Sequence, residues 1–162
     1  MQDLLPIATR IGLLLKARGE TVAVSESAAG GLVAASLLAL PGASAYFRGG
    51  AVVYTAEARS GLLGIAAEDM RGMRSASEPY AALCAATIRR RLGADWGIAE
   101  TGAAGPSGNR YGDAAGHACL AVAGAVARVT TLETGSAERE ANMRRFAAAA
   151  LALLEQAISE AG

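Results

Sequence analysis

Short apolar and β-branched runs alternate with segments of helical periodicity along this chain, and that alternation limits the fold more than any other feature. From Leu4 to Arg18 apolar residues recur at helical spacing, with Leu4, Ile7, Ile11, Leu14 and Leu15 on one broad face and Gly19 placed as a stop. Thr21–Ser25 then reads as a strand, Glu26–Gly30 as a tight turn, and Gly31–Leu40 as a helix ended by Pro41-Gly42. A second strand is predicted at Gly50–Tyr54, followed by a helical segment at Ala56–Leu63. Glu78–Leu92 again has helical spacing, with Ser75 or Ser77 as a cap and Gly93 as a stop. Trp96–Thr101 reads as a strand, His117–Val122 and Val126–Leu132 as two more joined in hairpin style at Ala123-Gly124, and Glu138–Ile158 as a closing helix. The pattern predicts an α/β fold: a three-layer α/β/α sandwich around a mixed, mostly parallel sheet of about five or six strands, in one domain spanning residues 1–162.

Charge and composition narrow the function. The 15 basic and 15 acidic residues cancel, and the only dense basic run, Arg89-Arg90-Arg91, suits the end of a helix, so no nucleic-acid partner is expected. Ser27–Phe47 is free of charge over 21 residues, but Gly30, Gly31, Pro41 and Gly42 interrupt it, so no membrane span is expected. An N-terminus broken by Arg10 and Lys16 is wrong for a secretory signal, and a cytoplasmic location follows as the expectation. Cys84 and Cys119, with His117 as their one companion, are too few for a structural metal site and read as free thiols. Of the basic residues 14 are arginine and one, Lys16, is lysine, so chemistry that needs a deprotonatable amine has one side-chain candidate.

Sheets of this kind bind ligands beyond the carboxyl ends of their strands, which directs attention to the loops after Ser25, Tyr54 and Thr101. Glu26-Ser27-Ala28-Ala29-Gly30-Gly31 offers hydroxyls, a carboxylate and N–H groups at a helix start, either as an anion cradle or as a packed turn capped by Ser27. Neither a Walker nor a dinucleotide fingerprint is present. Thr101-Gly102-Ala103-Ala104-Gly105-Pro106 opens a long glycine-rich loop whose small residues let backbone N–H groups approach a phosphate or an oxyanion.

Five separated segments agree in kind and spacing with one family. They are Glu26-Ser27-Ala28-Ala29-Gly30-Gly31, the stretch Pro41–Arg59, Leu62-Leu63-Gly64-Ile65, Arg91-Leu92-Gly93-Ala94-Asp95 and the loop from Thr101 to Pro106. Together they make the chain resemble the CinA carboxy-terminal domain family, which includes nicotinamide mononucleotide deamidases of the PncC type. The resemblance runs from about Thr21 to Gly116 and is weaker in the two terminal helices.

It implies hydrolysis of the carboxamide of nicotinamide mononucleotide to nicotinate mononucleotide and ammonia, without metal or other cofactor, by a protein expected to be a homo-oligomer. It implies a serine nucleophile working with a tyrosine and a lysine; laid on this chain these fall on Ser44, Tyr54 and Arg59. Substrate contacts are expected from Glu26, Ser27, Gly30, Gly31, Thr101, Gly102, Gly105 and, near the start of the last helix, Arg144 or Arg145. Full-length CinA proteins carry a further amino-terminal domain, and this chain is expected to be a stand-alone member.

Four positions depart from the family pattern. Arg59 replaces the lysine, and a guanidinium cannot act as a base near neutral pH. Ala29 replaces a threonine, Ala56 an asparagine, and Ala114-Ala115-Gly116-His117 stands where Pro-Val-Gly-Thr is usual, bringing in the one imidazole of the chain. His117 could titrate near neutrality, but a lone histidine beside apolar strand residues is expected to be structural. A relative that kept the nucleotide pocket and lost the base is the alternative expectation.

Overall fold

The computed structural model describes residues 1–162. Its elements in order are α1 (Leu5–Arg18), β1 (Val22–Glu26), α2 (Leu32–Leu38), β2 (Phe47–Val52), α3 (Ala56–Ala58), α4 (Glu78–Leu92), β3 (Trp96–Ala103), β4 (His117–Ala123), β5 (Arg128–Glu133) and α5 (Arg139–Glu160). A single wider helical turn, Arg59–Leu63, continues α3. The sheet has the order β2-β1-β3-β4-β5. β1 is parallel to β2 and to β3, while β3–β4 and β4–β5 are antiparallel. The sheet is therefore mixed, with parallel and antiparallel pairings equal in number rather than a parallel majority.

The central strands β1, β3 and β4 are buried almost throughout, which is why their sequences are mainly apolar, with Ser25, Glu26, Glu100 and Thr101 the buried polar exceptions toward the carboxyl ends of β1 and β3. The edge strands β2 and β5 alternate between covered and open residues. One face of the sheet is covered by α1, α2 and α5, whose Ile11, Leu15, Leu37, Phe146, Leu151 and Leu154 pack on Val22, Val24, Ile98 and Leu120. The opposite face is covered by α4 and the turn after α3, where Leu63, Tyr80, Ala81, Cys84 and Ile88 meet Ala23, Ala99, Cys119 and Ala121. Alanines at the facing positions let the layers approach closely. No helix is long and apolar enough to cross a membrane.

Local chemistry sets the element ends. Ser77 caps α4 through the N–H of Tyr80, and Gly19 and Gly93 end α1 and α4 in the left-handed conformation. The strand predicted at Gly50–Tyr54 starts three residues earlier and ends two earlier, at Phe47–Val52: glycines lower intrinsic strand propensity, but Gly50 packs closely on Ala34 of α2 and Val24 of β1, where an added Cβ would lie 3.2 and 3.4 Å from their Cβ atoms. α2 is shorter than the predicted Gly31–Leu40, and β5 starts at Arg128 rather than Val126.

At the amino ends of the parallel strands, Thr21 donates from N and Oγ1 to Asp95 Oδ2 at 2.8 and 2.7 Å, and Asp95 N returns a bond to Thr21 Oγ1. These bonds, Thr21's hydroxyl foremost, hold the Asp95 carboxyl below its usual range. The buried Trp96 donates its indole N–H to Glu20 Oε2 at 2.7 Å.

Gly97 on β3 lies so close to α4 that an added methyl would overlap the Ala85 carbonyl and come within 2.7 Å of Arg89 Cβ. Gly97→Ala is expected to push α4 off the sheet and destabilise the protein by about 2 kcal/mol or more, read as a lowered urea midpoint with an unchanged m-value.

Candidate functional site

Two adjoining cavities open at the carboxyl ends of the parallel strands, and Tyr54 lines both. The first, of about 220 Å³, is bounded by Ser27 from the β1–α2 turn, Tyr54 and Arg59 from the segment after β2, Tyr80 of α4, Thr101 of β3, and Arg110 and Tyr111 from the β3–β4 loop. The second, of about 230 Å³, is bounded by Ala28, the backbone from Gly102 to Gly105, Ser107–Asn109 and Arg139. No carboxylate lines either cavity, whereas three guanidiniums do. The site therefore carries positive charge in a recess, which favours an anionic ligand.

Beneath the β1–α2 turn lie two buried carboxyls. Glu26, 1% exposed, accepts the N–H groups of Val33 and Ala34 at 3.1 and 3.0 Å and so occupies the start of α2. Glu100 Oε2 accepts the N–H groups of Ser27 and Ala29 at 2.9 and 2.8 Å, and its Oε1 is buried without a partner. Burial pushes the Glu100 carboxyl up to about 7 against these backbone bonds, with the neighbouring Glu26 charge adding to the rise. Burial likewise raises Glu26, its bonds to Ala34 and Val33 opposing.

This arrangement corrects several expected roles. Glu26 touches no ligand space, because both its oxygens serve α2. The N–H groups beyond Gly30 and Gly31 are not an open anion cradle, since the protein's own carboxylate fills it; Gly30 is packed instead against Met143, 2.7 Å from where its Cβ would be. Ser44 sits exposed in the short turn Ala43–Ala45 before β2, while Tyr54 follows β2 at its other end. The length of that strand, roughly 20 Å, separates them. The serines that the fold brings to the cavity of Tyr54 and Arg59 are Ser27, from the β1–α2 turn, and Ser75, just before α4; Ser27 is the one that belongs to the Glu26–Gly31 segment carrying the resemblance.

Arg144 also lies elsewhere, donating to Glu140 at 2.6 Å and Asp3 at 3.3 Å on the surface. The arginine of α5 that reaches the site is Arg139, which donates to the Gly105 carbonyl at 2.6 Å and to Tyr54 Oη at 3.1 Å. Thr101 keeps its expected place on the cavity wall, its Oγ1 accepting the Ala76 N–H at 3.3 Å. Gly102 and Gly105 line the second cavity; at Gly102 any side chain would strike β4, and at Gly105 (φ +115°) it would meet the Ala137 carbonyl. Arg59 Nε is buried without a hydrogen-bond partner. Lys16 points to the opposite end of the sheet, where Nζ donates to the Pro41 carbonyl at 2.9 Å.

Sequence reasoning missed Arg139, Arg110, Tyr111 and Tyr80. The available signal was the tyrosine count: three of the four tyrosines line the first cavity. The β3–β4 loop that brings Tyr111 is held by Arg74, which donates to both Asp113 oxygens at 2.5 and 3.0 Å, and by Asn109 Nδ2 on Asp113 at 2.8 Å. The Arg74 pair holds the Asp113 carboxyl below its usual range. The Arg74 and Arg110 guanidiniums both lie over the Tyr111 ring, 5.2 and 5.1 Å from its centroid.

His117 lines neither cavity. Its ring is set between two acceptors, Glu133 Oε1 at Nδ1 and the Ala76 carbonyl at Nε2 (2.9 Å), and satisfies both only when doubly protonated. Burial opposes that charge, but Glu133, Ala76 and Asp113 outweigh it and raise the imidazole above its ordinary value.

The comparisons with known proteins agree with one another. A family model described as the CinA C-terminal domain matches residues 5–158. Proteins described as CinA-like are similar: one from Anaeromyxobacter dehalogenans is 42% identical over 144 residues, covering 89% of this chain and 35% of that protein, and one from Chloroherpeton thalassium is 36% identical, covering 96% and 38%. The chain thus spans about a third of the length of these relatives. Among solved structures, a competence-damaged protein (CinA) superfamily protein of Klebsiella pneumoniae superposes with a TM-score of 0.90 at 28% identity, covering 97% of this chain and 98% of that one. A competence/damage inducible protein CihA of Agrobacterium tumefaciens does so with a TM-score of 0.79 at 28% identity, covering 98% and 93%.

The raised Glu100 has a consequence for stability. A carboxyl that holds its proton more tightly in the folded than in the unfolded chain loses stability as pH rises from the ordinary value of 4.5 through about 7. Glu100→Gln removes that loss, so its thermal midpoint is expected to gain on the wild type as pH rises from about 5 to about 8. Scanning calorimetry across that range measures the difference.

Proposed function

Because the chain belongs to the CinA C-terminal domain family, we propose that it is a PncC-type amidohydrolase acting on the carboxamide of a pyridine mononucleotide, nicotinamide mononucleotide first. The observation that carries this reading is the meeting of Ser27, Tyr54, Arg59 and Thr101 in one recess that has guanidiniums and no carboxylate on its wall. A mononucleotide brings a phosphate and a planar ring, and the two cavities on either side of Tyr54 offer Arg110 or Arg139 for the first and tyrosine faces for the second.

In this reading Ser27 Oγ attacks the carboxamide carbon, and its proton passes by way of Tyr54 Oη to the departing nitrogen, which leaves as ammonia. Arg59 holds the oxyanion that forms on the carbonyl oxygen. Water then cleaves the ester to Ser27, giving nicotinate mononucleotide and the free hydroxyl. Arg59 stabilises charge but takes no proton, so the step for which an amine is suited proceeds without one.

That substitution favours a second reading, in which the recess binds the mononucleotide and does not turn it over. Both are tested by incubating the protein with nicotinamide mononucleotide and following ammonia and thermal midpoint together. The first reading expects ammonia release that falls at least about a hundredfold in Ser27→Ala and stays within about twofold in Ser44→Ala. Stabilisation without ammonia, with ammonia appearing in Arg59→Lys, selects the second. Neither stabilisation nor ammonia overturns both.

A further inference from the structure

Ser27 reaches the cavity from a turn that has no regular secondary structure to hold it, so something else must fix its direction. The turn between β1 and α2 has two backbone bonds, from Gly30 N–H to the Ser27 carbonyl and from Leu32 N–H to the Ala29 carbonyl, and neither uses the N–H groups of Ser27 and Ala29, which would be unpaired without a side-chain acceptor. Glu100 Oε2 supplies both bonds from the neighbouring strand. We propose that Glu100 is the positioning residue of the site: its ionised carboxylate fixes the Ser27–Ala29 turn so that Ser27 faces Tyr54 and Arg59, and uptake of a proton loosens that hold. The inference rests on the reading of Ser27 as the reacting hydroxyl.

The geometry separates the two states of the carboxyl. Ionised, Oε2 receives two charge-assisted bonds, about twice as strong as neutral ones. Oε1 is buried and unpartnered, so it is the oxygen free to take the proton, after which Oε2 accepts as a neutral carbonyl. Few groups compete for control. Glu26 on β1 is the one charge close by, and it raises the Glu100 carboxyl rather than pairing with it. Buried residues of α2 on this side of the sheet are Val33, Ser36 and Leu37, those from the start of α5 to Ala150 are Asn142, Phe146, Ala147 and Ala150, and Leu120 stands opposite Glu100 on β4; none titrates, and the Arg139 guanidinium of α5 is engaged by the Gly105 carbonyl and Tyr54 Oη. Arg59 stands apart, in the first cavity beside Tyr80. Burial raises this carboxyl to about 7, so the two states exchange near neutral pH.

Two measurements test this. In the wild type, the backbone amide resonances of Ser27 and Ala29 are followed by nitrogen–proton NMR from about pH 5.5 to about 8; they are expected to shift together with one midpoint near 7. In parallel, kcat/KM for ammonia release from nicotinamide mononucleotide is expected to rise about tenfold with the same midpoint, and to lose that limb in Glu100→Gln. Shared amide titration without turnover in any variant supports the hold on the turn and overturns the hydrolase reading instead. Amides that do not titrate in the wild type, or a Glu100→Gln profile with the wild-type limb intact, overturn the proposal. The wild-type titration decides even if the variant does not fold.

Discussion

The carboxyl-end architecture depends on two buried carboxyls placed under one turn. A strand that hands over to a short helix leaves several N–H groups without partners, and in a three-layer fold they are too deep for water to serve them all. Glu26 takes those of α2 and Glu100 those of the turn itself. Each carboxylate pays for its burial with bonds that only a charged acceptor makes strongly, and the two charges repel. The raised state of both is the physical record of that compromise. One result is chemical: the turn that resembles an anion cradle already contains its anion. A ligand's charge must then be met across the recess, by Arg59, Arg110 and Arg139.

The two ends of the sheet have been given different work. At the amino ends of β1 and β3, Thr21, Asp95, Glu20 and Trp96 are joined in short, closed networks with no cavity beside them. At the carboxyl ends, polar side chains face open space, and the loop that encloses it is pinned from outside by Arg74 and Asp113. Ala76 connects this enclosure to the sheet. Its backbone has φ +54°, rare for a side-chain-bearing residue, and is held there because its N–H meets Thr101 while its carbonyl receives His117 Nε2. His117 thus holds the backbone of Ala76, next to the Ser75 that lines the first cavity, and itself lines neither cavity.

Most of the fold was legible because periodicity and end signals agreed. Ser77, Gly93 and the buried run of β3 mark their elements without tertiary help. The strand expected at Gly50–Tyr54 starts earlier, at Phe47, because the apolar run Ala51–Val53 marks a strand while Arg48 and Gly49 carry no strand signal, and only the closeness of Ala34 and Val24 to Gly50 shows why a glycine suits that strand. In the site, the resemblance pointed to Tyr54, Arg59, Ser27 and Thr101, which the fold brings to the wall of one cavity. It put the nucleophile on Ser44 because motif spacing counts residues along the chain, and β2 carries those residues from one end of the sheet to the other. Arg139 was missed for Arg144 because a helix start carries no mark of which turn faces a recess 30 residues away in sequence. Nor does a glutamate in a strand announce that it will be buried under another strand's turn.

The preference of this chain for arginine over lysine acquires a physical sense at Arg59. A lysine in this recess, with Arg110 in the same cavity and Arg139 in the adjoining one, would be driven by like charge toward its neutral form, which is what a base requires. An arginine in the same place keeps its charge, and its buried, unpaired Nε is a donor that costs about 1–3 kcal/mol until an acceptor meets it. In the proposed reading, the exchange therefore trades proton transfer for anion affinity. Lys16 cannot restore the amine, being fixed at the far end of the sheet by the Pro41 carbonyl. Any group that compensates must sit near Ser27, titrate near neutrality and be held rigidly. Among the side chains around the turn, the one carboxyl poised near 7 is Glu100, and it reaches Ser27 through the backbone, where it governs direction, not through the hydroxyl, where it would take the proton.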